Sequence, residues 1–425
     1  MVKMKAVGVA GGLAVCLAVA GCRTEAPRMD RSKLQIGTYC LAARERDEAH
    51  VKDIRDCGID FIYGIPASDR RTLDLCAKHG LGVIATGAVP FWHGMDGSQA
   101  GQMRDRQPVE AFAKAMDAYE DHPAIWMLDY VDEPSALDYP HIAKVTKLML
   151  EKCPKGVLPY INLYPNYASV VGNTAKQTVN QLGTKTYAEH VAAYVKNVPL
   201  DYVSFDFYFY SVRDADARKT KLEKFHENLK DIADVCRTTG KSLWYIPQVN
   251  SSYGELWLSE NMLRFQAYLS MCYGAEVINW ACWGIEGEAE KLDMPGLNGW
   301  WTNNVLTLTG ERTEQYDKLK KVNGELHRIG EPYMLYRNVA TRFGRADDGA
   351  ELVIGEMVSR ADTGKRALFI LASDDPFDEK PGVHQVTVGP GYCSVEGGYG
   401  KIPFKRLSDG RMRFALASNH GVLVH

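Results

Sequence analysis

The chain of 425 residues is long enough for one large α/β domain of about 250 residues and a smaller second domain. Its 46% hydrophobic and 24% charged residues are typical of a globular protein and sufficient for a large core. The formal net charge is −3, without a basic stripe or an acidic tail, which argues against nucleic acid as a partner.

The N-terminus has the pattern of an export signal. Two lysines precede an apolar run, 6–21, which is too short to span a bilayer comfortably. The run ends in Val-Ala-Gly before Cys22 and resembles the lipobox of bacterial lipoproteins. The resemblance implies that 1–21 is a removed signal peptide, that Cys22 is acylated, and that 22–33 is a tether. We therefore expect an exported protein of the bacterial cell envelope, on the outer membrane or periplasmic face, held by this lipid anchor alone; the alternative is an ordinary signal peptide with a chance cysteine.

The other cysteines after this segment do not indicate a metal site or a dense disulfide framework. No two of them form a CxxC pair, and they lie far apart in the sequence. Export permits disulfides, but we expect most of these side chains to be small buried residues. The sequence predicts no metal and no cofactor. The eight residues are Cys40, Cys57, Cys76, Cys153, Cys236, Cys272, Cys282 and Cys393.

A short apolar run followed by a polar helical stretch repeats eight times before residue 333. Several runs are continuously apolar, as expected for parallel strands that are covered by helices. Eight such units predict an α/β fold, a (β/α)8 TIM barrel over 34–332, rather than an open doubly wound sheet. The predicted strands are 34–39, 60–65, 81–87, 125–131, 157–163, 202–208, 242–248 and 276–283. The predicted helices include 108–120, 140–152, 187–196, 219–239, 259–273 and 313–329.

The pattern changes after residue 332. The segment 337–425 has no convincing helix, and turns rich in Asp and Gly separate its short strand-like runs. We predict a small C-terminal antiparallel β-sandwich domain that packs on the barrel. Its candidate strands are 351–354, 366–371, 384–388 and 412–416.

The end of the fourth predicted strand carries the strongest chemical signal. In a barrel of parallel strands, active residues lie at the carboxyl ends of the strands. Strand alternation would place Asp129, Val131 and Glu133 on one face, and Pro134 would end the strand. A carboxylic acid at this position could protonate the leaving oxygen of a glycosidic bond, usually beside a second carboxylate.

Asp132, Glu133 and the following proline resemble the Asn/Asp-Glu-Pro motif of the large retaining glycoside hydrolase clan of (β/α)8 barrels. The strand at 202–210, the eighth strand at 273–284 and the helix at 308–326 are similar to those of its β-galactosidase-like members. The likeness covers most of 34–425, and it implies that Glu133 is the catalytic acid/base.

The chain departs from this clan at the seventh strand, where a second Glu is the nucleophile of the family. That place holds Gln248, which cannot form a glycosyl ester through a carboxylate. Three alternatives follow: Asp206 is the second carboxylate, a 2-acetamido group of the substrate attacks with help from Asp132, or catalysis is lost and binding is kept. Glu255 and Glu286 are further carboxylates, which we expect to be solvated loop charges.

Aromatic and amide side chains at the predicted strand ends indicate a carbohydrate ligand, because rings bury the C–H face of a sugar and amides bond its hydroxyls. Some of these rings are expected to belong to the barrel core instead. His93 could contact a ligand or bond a loop carbonyl. The substrate-binding candidates are Tyr39, Trp92, Asp129, Asp132, Asn162, Tyr164, Tyr208, Gln248, Asn250, Trp280 and Trp283.

The sequence therefore predicts a glycoside hydrolase that acts on a polysaccharide or glycoconjugate, with a non-catalytic carbohydrate-binding lipoprotein as the alternative. No Gly-x-Ser-x-Gly or HExxH motif supports another hydrolase class. We expect Glu133, Asp206, Gln248 and at least one of Trp280 and Trp283 to meet in one cleft. A retaining pair of carboxyl groups stands about 5–5.5 Å apart, and Glu133 is expected to have no partner at that distance.

Overall fold

The computed structural model describes residues 28–94, 97–168, 181–210, 215–250, 256–284, 303–307, 309–373, 375–377 and 381–425. The predicted signal segment with Cys22, and also Glu255 and Glu286, lie outside the described residues. Within the described ranges, every helix is too short or too polar to cross a membrane.

The larger part of the chain forms a curled sheet with helices around it. Its strands are largely buried on both faces, and all five residues of Tyr202–Asp206 and of Ser242–Ile246 are buried, which explains their continuous apolar pattern. The strands are β1 (Gln35–Tyr39), β2 (Phe61–Pro66), β3 (Gly82–Thr86), the two-residue β4 (Trp92–His93), β5 (Ile125–Asp132), β6 (Leu158–Asn162), β7 (Tyr202–Asp206), β8 (Ser242–Ile246) and β9 (Ala275–Trp280).

Eight of these strands run parallel in chain order, and the short β4 pairs beside β5. The last strand, β9, pairs with β1. Between β6 and β7 the ladder is interrupted, and a single bridge joins Leu163 to Phe205. The eight predicted parallel strands are therefore confirmed, in a sheet that resembles part of a (β/α)8 barrel and has an open ladder at this one junction.

Helices follow the strands and begin at residues that cap them. Asp47, Asp69, Thr186 and Ser259 each accept a hydrogen bond from a backbone N–H of the first turn. The helices are α1 (Glu48–Asp56), α2 (Arg70–Lys78), α3 (Met103–Arg106), α4 (Val109–Asp117), α5 (Tyr139–Lys152), α6 (Tyr187–Asn197), α7 (Ala215–Thr239), α8 (Glu260–Cys272) and α9 (Glu314–Tyr333).

The C-terminal part forms two antiparallel sheets. One has six strands in the order β10-β11-β12-β18-β14-β15, and the other has three in the order β13-β17-β16. The strands are β10 (Tyr336–Arg345), β11 (Glu351–Ser359), β12 (Arg366–Ala372), β13 (Val383–Val388), β14 (Val395–Gly397), β15 (Gly400–Lys401), β16 (Phe404–Arg406), β17 (Met412–Ala417) and β18 (Gly421–Val424).

The six-stranded sheet contributes to two cores. Phe369 and Leu423 belong to the main core together with Tyr268 of α8. Ile370 belongs to a second core, which it shares with Phe414 of the three-stranded sheet. The antiparallel strands predicted for 337–425 are confirmed, whereas the sandwich and the domain bounds stay predictions.

The junction with α8 is close. A Cβ added to Gly421 would lie 2.6 Å from the ring of Tyr268, so only glycine fits against the helix at this point. The backbone of the C-terminal sheet therefore packs directly against a side chain of α8 at this point.

Candidate functional site

A cavity of about 700 Å³ lies at the carboxyl ends of the parallel strands. Its wall combines three carboxylates with tyrosine, amide and cysteine side chains, so both charged and apolar surface face the interior. A cavity of this size fits a small-molecule ligand. The described residues that line it are Tyr39, Cys40, Leu41, Arg46, Gly64, Pro66, Thr86, Asp132, Glu133, Asn162, Asp206, Tyr208, Ala281, Cys282 and Gly284.

The end of β5 brings two carboxylates into this cavity, Asp132 and Glu133. The register of β5 against β6 shifts between Asp129 and Val131, so strict alternation does not hold there. The expected common face of Asp129, Val131 and Glu133 is therefore wrong: Val131 is fully buried, and Asp132 lines the cavity instead. Glu133 has a φ of +49°, which is unusual for a residue with a side chain.

Asp129 lies deeper in the sheet and is not among the lining residues. Its Oδ2 accepts a hydrogen bond of 2.7 Å from the hydroxyl of Tyr63. Burial raises the pKa of Asp129 to about 8, and the charge of Asp132 adds to this rise while the Tyr63 hydrogen bond opposes it. Asp129 is thus a neutral buried acid near neutral pH.

Asn162 connects the two aspartates of the cavity. Its Nδ2 donates to Oδ1 of Asp206 at 2.9 Å and stands 3.3 Å from Oδ1 of Asp132. Ser204 fixes the amide, since its Oγ donates to Oδ1 of Asn162 at 3.1 Å. The carboxylates of Asp132 and Asp206 therefore lie within about two hydrogen-bond lengths of each other.

This arrangement perturbs both acids. Burial and then the neighbouring charge of Asp132 raise the pKa of Asp206 to about 7, and the hydrogen bond from Asn162 opposes that rise. Burial also raises the pKa of Asp132, against the opposing effects of His93 and Asn162. An acid with a pKa near 7 can both accept and donate a proton under neutral conditions.

The side chain of Glu133 is 23% exposed and that of Asp132 is 33% exposed, whereas Asp206 is buried. Its backbone N–H donates to the carbonyl of Asn162 at 2.9 Å, which fixes the turn after β5. Nε2 of His93 lies 3.9 Å from Oε2 of Glu133 and 3.7 Å from Oδ2 of Asp132. His93 thus lies beside the two carboxylates, and its contact with a ligand or with a loop carbonyl stays a prediction.

Two predicted tyrosines line the cavity. Tyr39 packs against Tyr63, with ring centroids 4.4 Å apart, and its hydroxyl lies 3.4 Å from that of Tyr160. Tyr208 packs on the apolar patch that Ile246 forms on this side. Burial raises the pKa of Tyr39 and of Tyr208, so both keep their hydroxyl protons at neutral pH.

The other predicted aromatic residues are buried in the core and do not line the cavity. Trp280 donates from Nε1 to Oδ1 of Asn323 in α9 at 2.9 Å. Trp283 packs edge-on against Tyr316 of the same helix. Trp92 and Tyr164 are also buried. The expectation that Trp280 or Trp283 shares a cleft with Glu133 is therefore wrong among the described residues, because both rings pack toward the helix layer.

Gln248 is fully buried and is not among the described residues that line the cavity. Its Oε1 accepts from the backbone N–H of Tyr210 at 2.7 Å, and its Nε2 donates to the carbonyl of Asn250 at 3.0 Å. Its own backbone pairs with the side chain of Gln266. Ile246 of β8 packs against Ala281 and Cys282, which line the cavity, and is itself not among the described lining residues.

Arg46, Cys40 and Cys282 are among the polar lining residues that were not predicted from the sequence. Arg46 donates from Nε to the carbonyl of Leu41 at 3.2 Å and lies 3.7 Å from Asp69. All three come just after β1 or β9, so their position after a strand end was the available signal. In the described part of the chain, no group of three or more His, Cys, Asp and Glu side chains could hold a metal ion.

No protein-family model matches the chain, and no curated protein matches its sequence. Solved structures with a similar fold include several glycoside hydrolases. They include a GH2 β-galacturonidase of Eisenbergiella tayi, with 12% identity and a TM-score of 0.44 over 65% of this chain and 46% of that one. An endo-1,4-β-xylanase of Caldicellulosiruptor owensensis has 11% identity and a TM-score of 0.41 over 68% and 97%. Endo-glycoceramidase II of a Rhodococcus species has 12% identity and a TM-score of 0.42 over 92% and 96%. The chain thus spans about half the length of the galacturonidase, and at these identities the likeness concerns the fold alone.

Proposed function

We propose that the chain is a glycoside hydrolase that cleaves a glycosidic bond of a polysaccharide or glycoconjugate. One observation carries the proposal: Asp132, Glu133 and Asp206 share one cavity of about 700 Å³ at the carboxyl ends of parallel strands. Glycosidic cleavage requires a proton donor and a second carboxylate at such a site. The proposal includes a closed (β/α)8 barrel as the scaffold of this site.

In the proposed reaction, Glu133 gives its proton to the leaving oxygen while the bond from that oxygen to the anomeric carbon breaks. Asp206 takes a proton from the water that attacks the same carbon. A pKa of about 7 suits a general base at neutral pH. His93, within 4 Å of Glu133, is placed to return a proton to it after turnover.

A retaining mechanism through a nucleophile at the end of β8, the seventh predicted strand, has no support among the described residues that line this cavity. Gln248 is held by the backbone of Tyr210 and Asn250, and no described residue of 242–250 lines the cavity. We therefore propose that turnover inverts the anomeric centre or uses the amide of a 2-acetamido sugar, with Asp132 orienting that amide.

The ligand would be held by groups that already line the cavity. The hydroxyls of Tyr39 and Tyr208 and the amide of Asn162 can bond sugar hydroxyls, and the tyrosine rings offer apolar faces. These three residues are the substrate-binding set that we propose.

The test is hydrolysis of a panel of aryl-glycosides and plant and host glycans by the wild-type protein. Glu133→Gln and Asp206→Asn should each lower kcat by about a hundredfold to ten-thousandfold. Glu151→Gln, on the exposed side of α5, is the matched control and should keep full activity. Full activity of Glu133→Gln, or a covalent sugar trapped on a carboxylate, would contradict the proposal.

A second candidate function is carbohydrate binding without catalysis. The observation that favours it is that β8, the strand whose end carries the nucleophile in the clan that the sequence resembles, contributes none of the described residues that line the cavity. In that case calorimetry would detect glycan binding to the wild-type protein and to Glu133→Gln alike, and no substrate of the panel would be cleaved.

We also propose export and lipid anchoring through Cys22, on the basis of the lipobox-like sequence alone. Mass spectrometry of the native N-terminus should find an acylated Cys22 and no residues from 1–21. An unmodified peptide that runs through Cys22 would overturn this proposal.

A further inference from the structure

We propose that a groove between the helix layer and the C-terminal sheets is a second, non-catalytic site that binds a neutral oligosaccharide chain. This inference rests on the proposed glycoside hydrolase function and adds a substrate contact to it. The groove has a volume of about 630 Å³ and is lined by residues near the first turns of α8 and α9 and by turns of the sheets. It shares no lining residue with the cavity that holds Glu133.

Two exposed aromatic side chains flank the groove. Trp257 is 38% exposed and Tyr399 is 61% exposed. Large rings are normally buried, and rings exposed within a groove are typical of binding surfaces. An exposed ring face can cover the C–H face of a pyranose, which suits Trp257 and Tyr399 for a sugar chain.

The charges of the groove neutralise one another. Lys321 pairs with Glu260 at 2.6 Å, and Arg264 pairs with Glu325 at 2.6 Å beneath the surface. Lys318 likewise pairs with Glu314 on α9. Because each cation of the groove already has an acidic partner, the surface favours a neutral ligand over an anionic polymer. The paired groups keep spare donors and acceptors that can bond sugar hydroxyls.

The hydroxyl of Tyr399 is fixed by Arg264, whose Nη2 donates to it at 2.9 Å. This bond holds the ring at the edge of the groove without covering its outer face, as its exposure indicates. Two variants of Tyr399 therefore separate the ring from the bond: an alanine removes both, and a phenylalanine removes the bond alone.

The groove also lies at the same end of the molecule as the opening of the catalytic cavity. Helices that follow parallel strands begin at the carboxyl ends of those strands, which is the end where the catalytic cavity opens. Residues Glu260 and Glu314 are the first of α8 and α9. A polysaccharide held in the groove would stay near the cavity, so the groove should help with long substrates and leave short ones unaffected.

The experiment is affinity gel electrophoresis of the full chain in gels that contain xylan, galactomannan, mixed-linkage β-glucan or polygalacturonate. We expect retardation in at least one neutral gel, and Trp257→Ala and Tyr399→Ala should each weaken it by about tenfold. Tyr399→Phe should keep the wild-type retardation. Phe404→Ala is the control, because Phe404 is 37% exposed on another part of the surface.

Cleavage of a small aryl-glycoside, measured beside the gels, tests the proposed function separately. Trp257→Ala should leave that rate unchanged, since the groove and the cavity have no residue in common. Retardation in no neutral gel, retardation in polygalacturonate alone, or equal retardation of Trp257→Ala and wild type would each overturn the inference. If the protein has no hydrolytic activity but still shows the Trp257-dependent retardation, the proposed function is refuted and the inference that the groove binds an oligosaccharide is supported.

Discussion

Asp132 and Asp206 come from different strands, yet both face the same amide nitrogen, Nδ2 of Asn162, at 3.3 and 2.9 Å. Two acids that share one donor influence each other's ionisation, and the pKa of Asp206 is raised to about 7 as a result of burial and of the charge on Asp132. The protonation of this pair should therefore determine the pH range in which the site works.

Asn162→Ala should shift the pH profile of kcat/KM to higher pH. The hydrogen bond from Asn162 lowers the pKa of Asp206, so its loss raises that pKa further above about 7. If Asp206 is the base, the acidic limb of the pH profile moves to higher pH, so activity in mildly acidic buffer falls. Asn197→Ala, on the exposed end of α6, is the control. A limb that stays in place would show that Asp206 is not the base.

Asp129→Asn should weaken the pH dependence of stability. The pKa of Asp129 rises from 3.8 to about 8 in the folded state. Between these two pH values, Asp129 is protonated in the folded chain and ionised in the unfolded chain. Stability therefore falls as pH rises through this window, by an amount on the order of a few kcal/mol. Urea unfolding of Asp129→Asn at about pH 5 and about pH 8 should show a smaller difference than wild type, while Asp117→Asn should match wild type. If the free energy of unfolding changes equally between the two pH values in all three proteins, the raised pKa of Asp129 is contradicted.

Glu133→Gly should be more stable than Glu133→Ala, by about 1 kcal/mol. The φ of +49° at this position disfavours any residue with a Cβ, and glycine relieves that cost. Both variants should lose hydrolytic activity. The same pair of substitutions at Glu110, inside α4, should give the opposite order, since glycine weakens a helix. Chemical denaturation measures all four, and an alanine variant at 133 as stable as the glycine variant would argue against strain.

Gln248→Glu should destabilise the fold, by about 2–4 kcal/mol, and should not create a nucleophile. The present amide donates to the carbonyl of Asn250, and a carboxylate in its place would face that oxygen without a proton. Gln385→Glu, exposed on β13, should change the free energy of unfolding little. A gain of retaining activity in Gln248→Glu would show that this side chain reaches the cavity.

The sequence pattern was sufficient to predict the eight parallel strands and the residues at their ends. Asp132, Asn162, Asp206 and Tyr39 line one cavity because carboxyl ends of parallel strands meet at one end of the sheet. Trp280 was placed incorrectly because a strand buried on both faces has no polar side to mark its inward residues.

Other features of the structure could not be predicted from the local sequence. The register shift beside Asp129 depends on how β5 pairs with β6, and sequence alternation along one strand cannot show it. Gln248 lies beyond the end of β8, where the chain has left the regular strand and the side chain bonds Tyr210 instead. The short strands β14 to β16 lie in a glycine-rich stretch with little apolar alternation.

Because Gly421 packs against the ring of Tyr268, we expect the six-stranded C-terminal sheet to unfold together with the helix layer. Phe369 and Leu423 fill the same core as the helices around the parallel sheet. Removing the chain after α9 would uncover an apolar layer across α8 and leave a protein that aggregates. Heating should accordingly melt both parts together, in a single calorimetric peak, because neither can lose its structure without exposing the other.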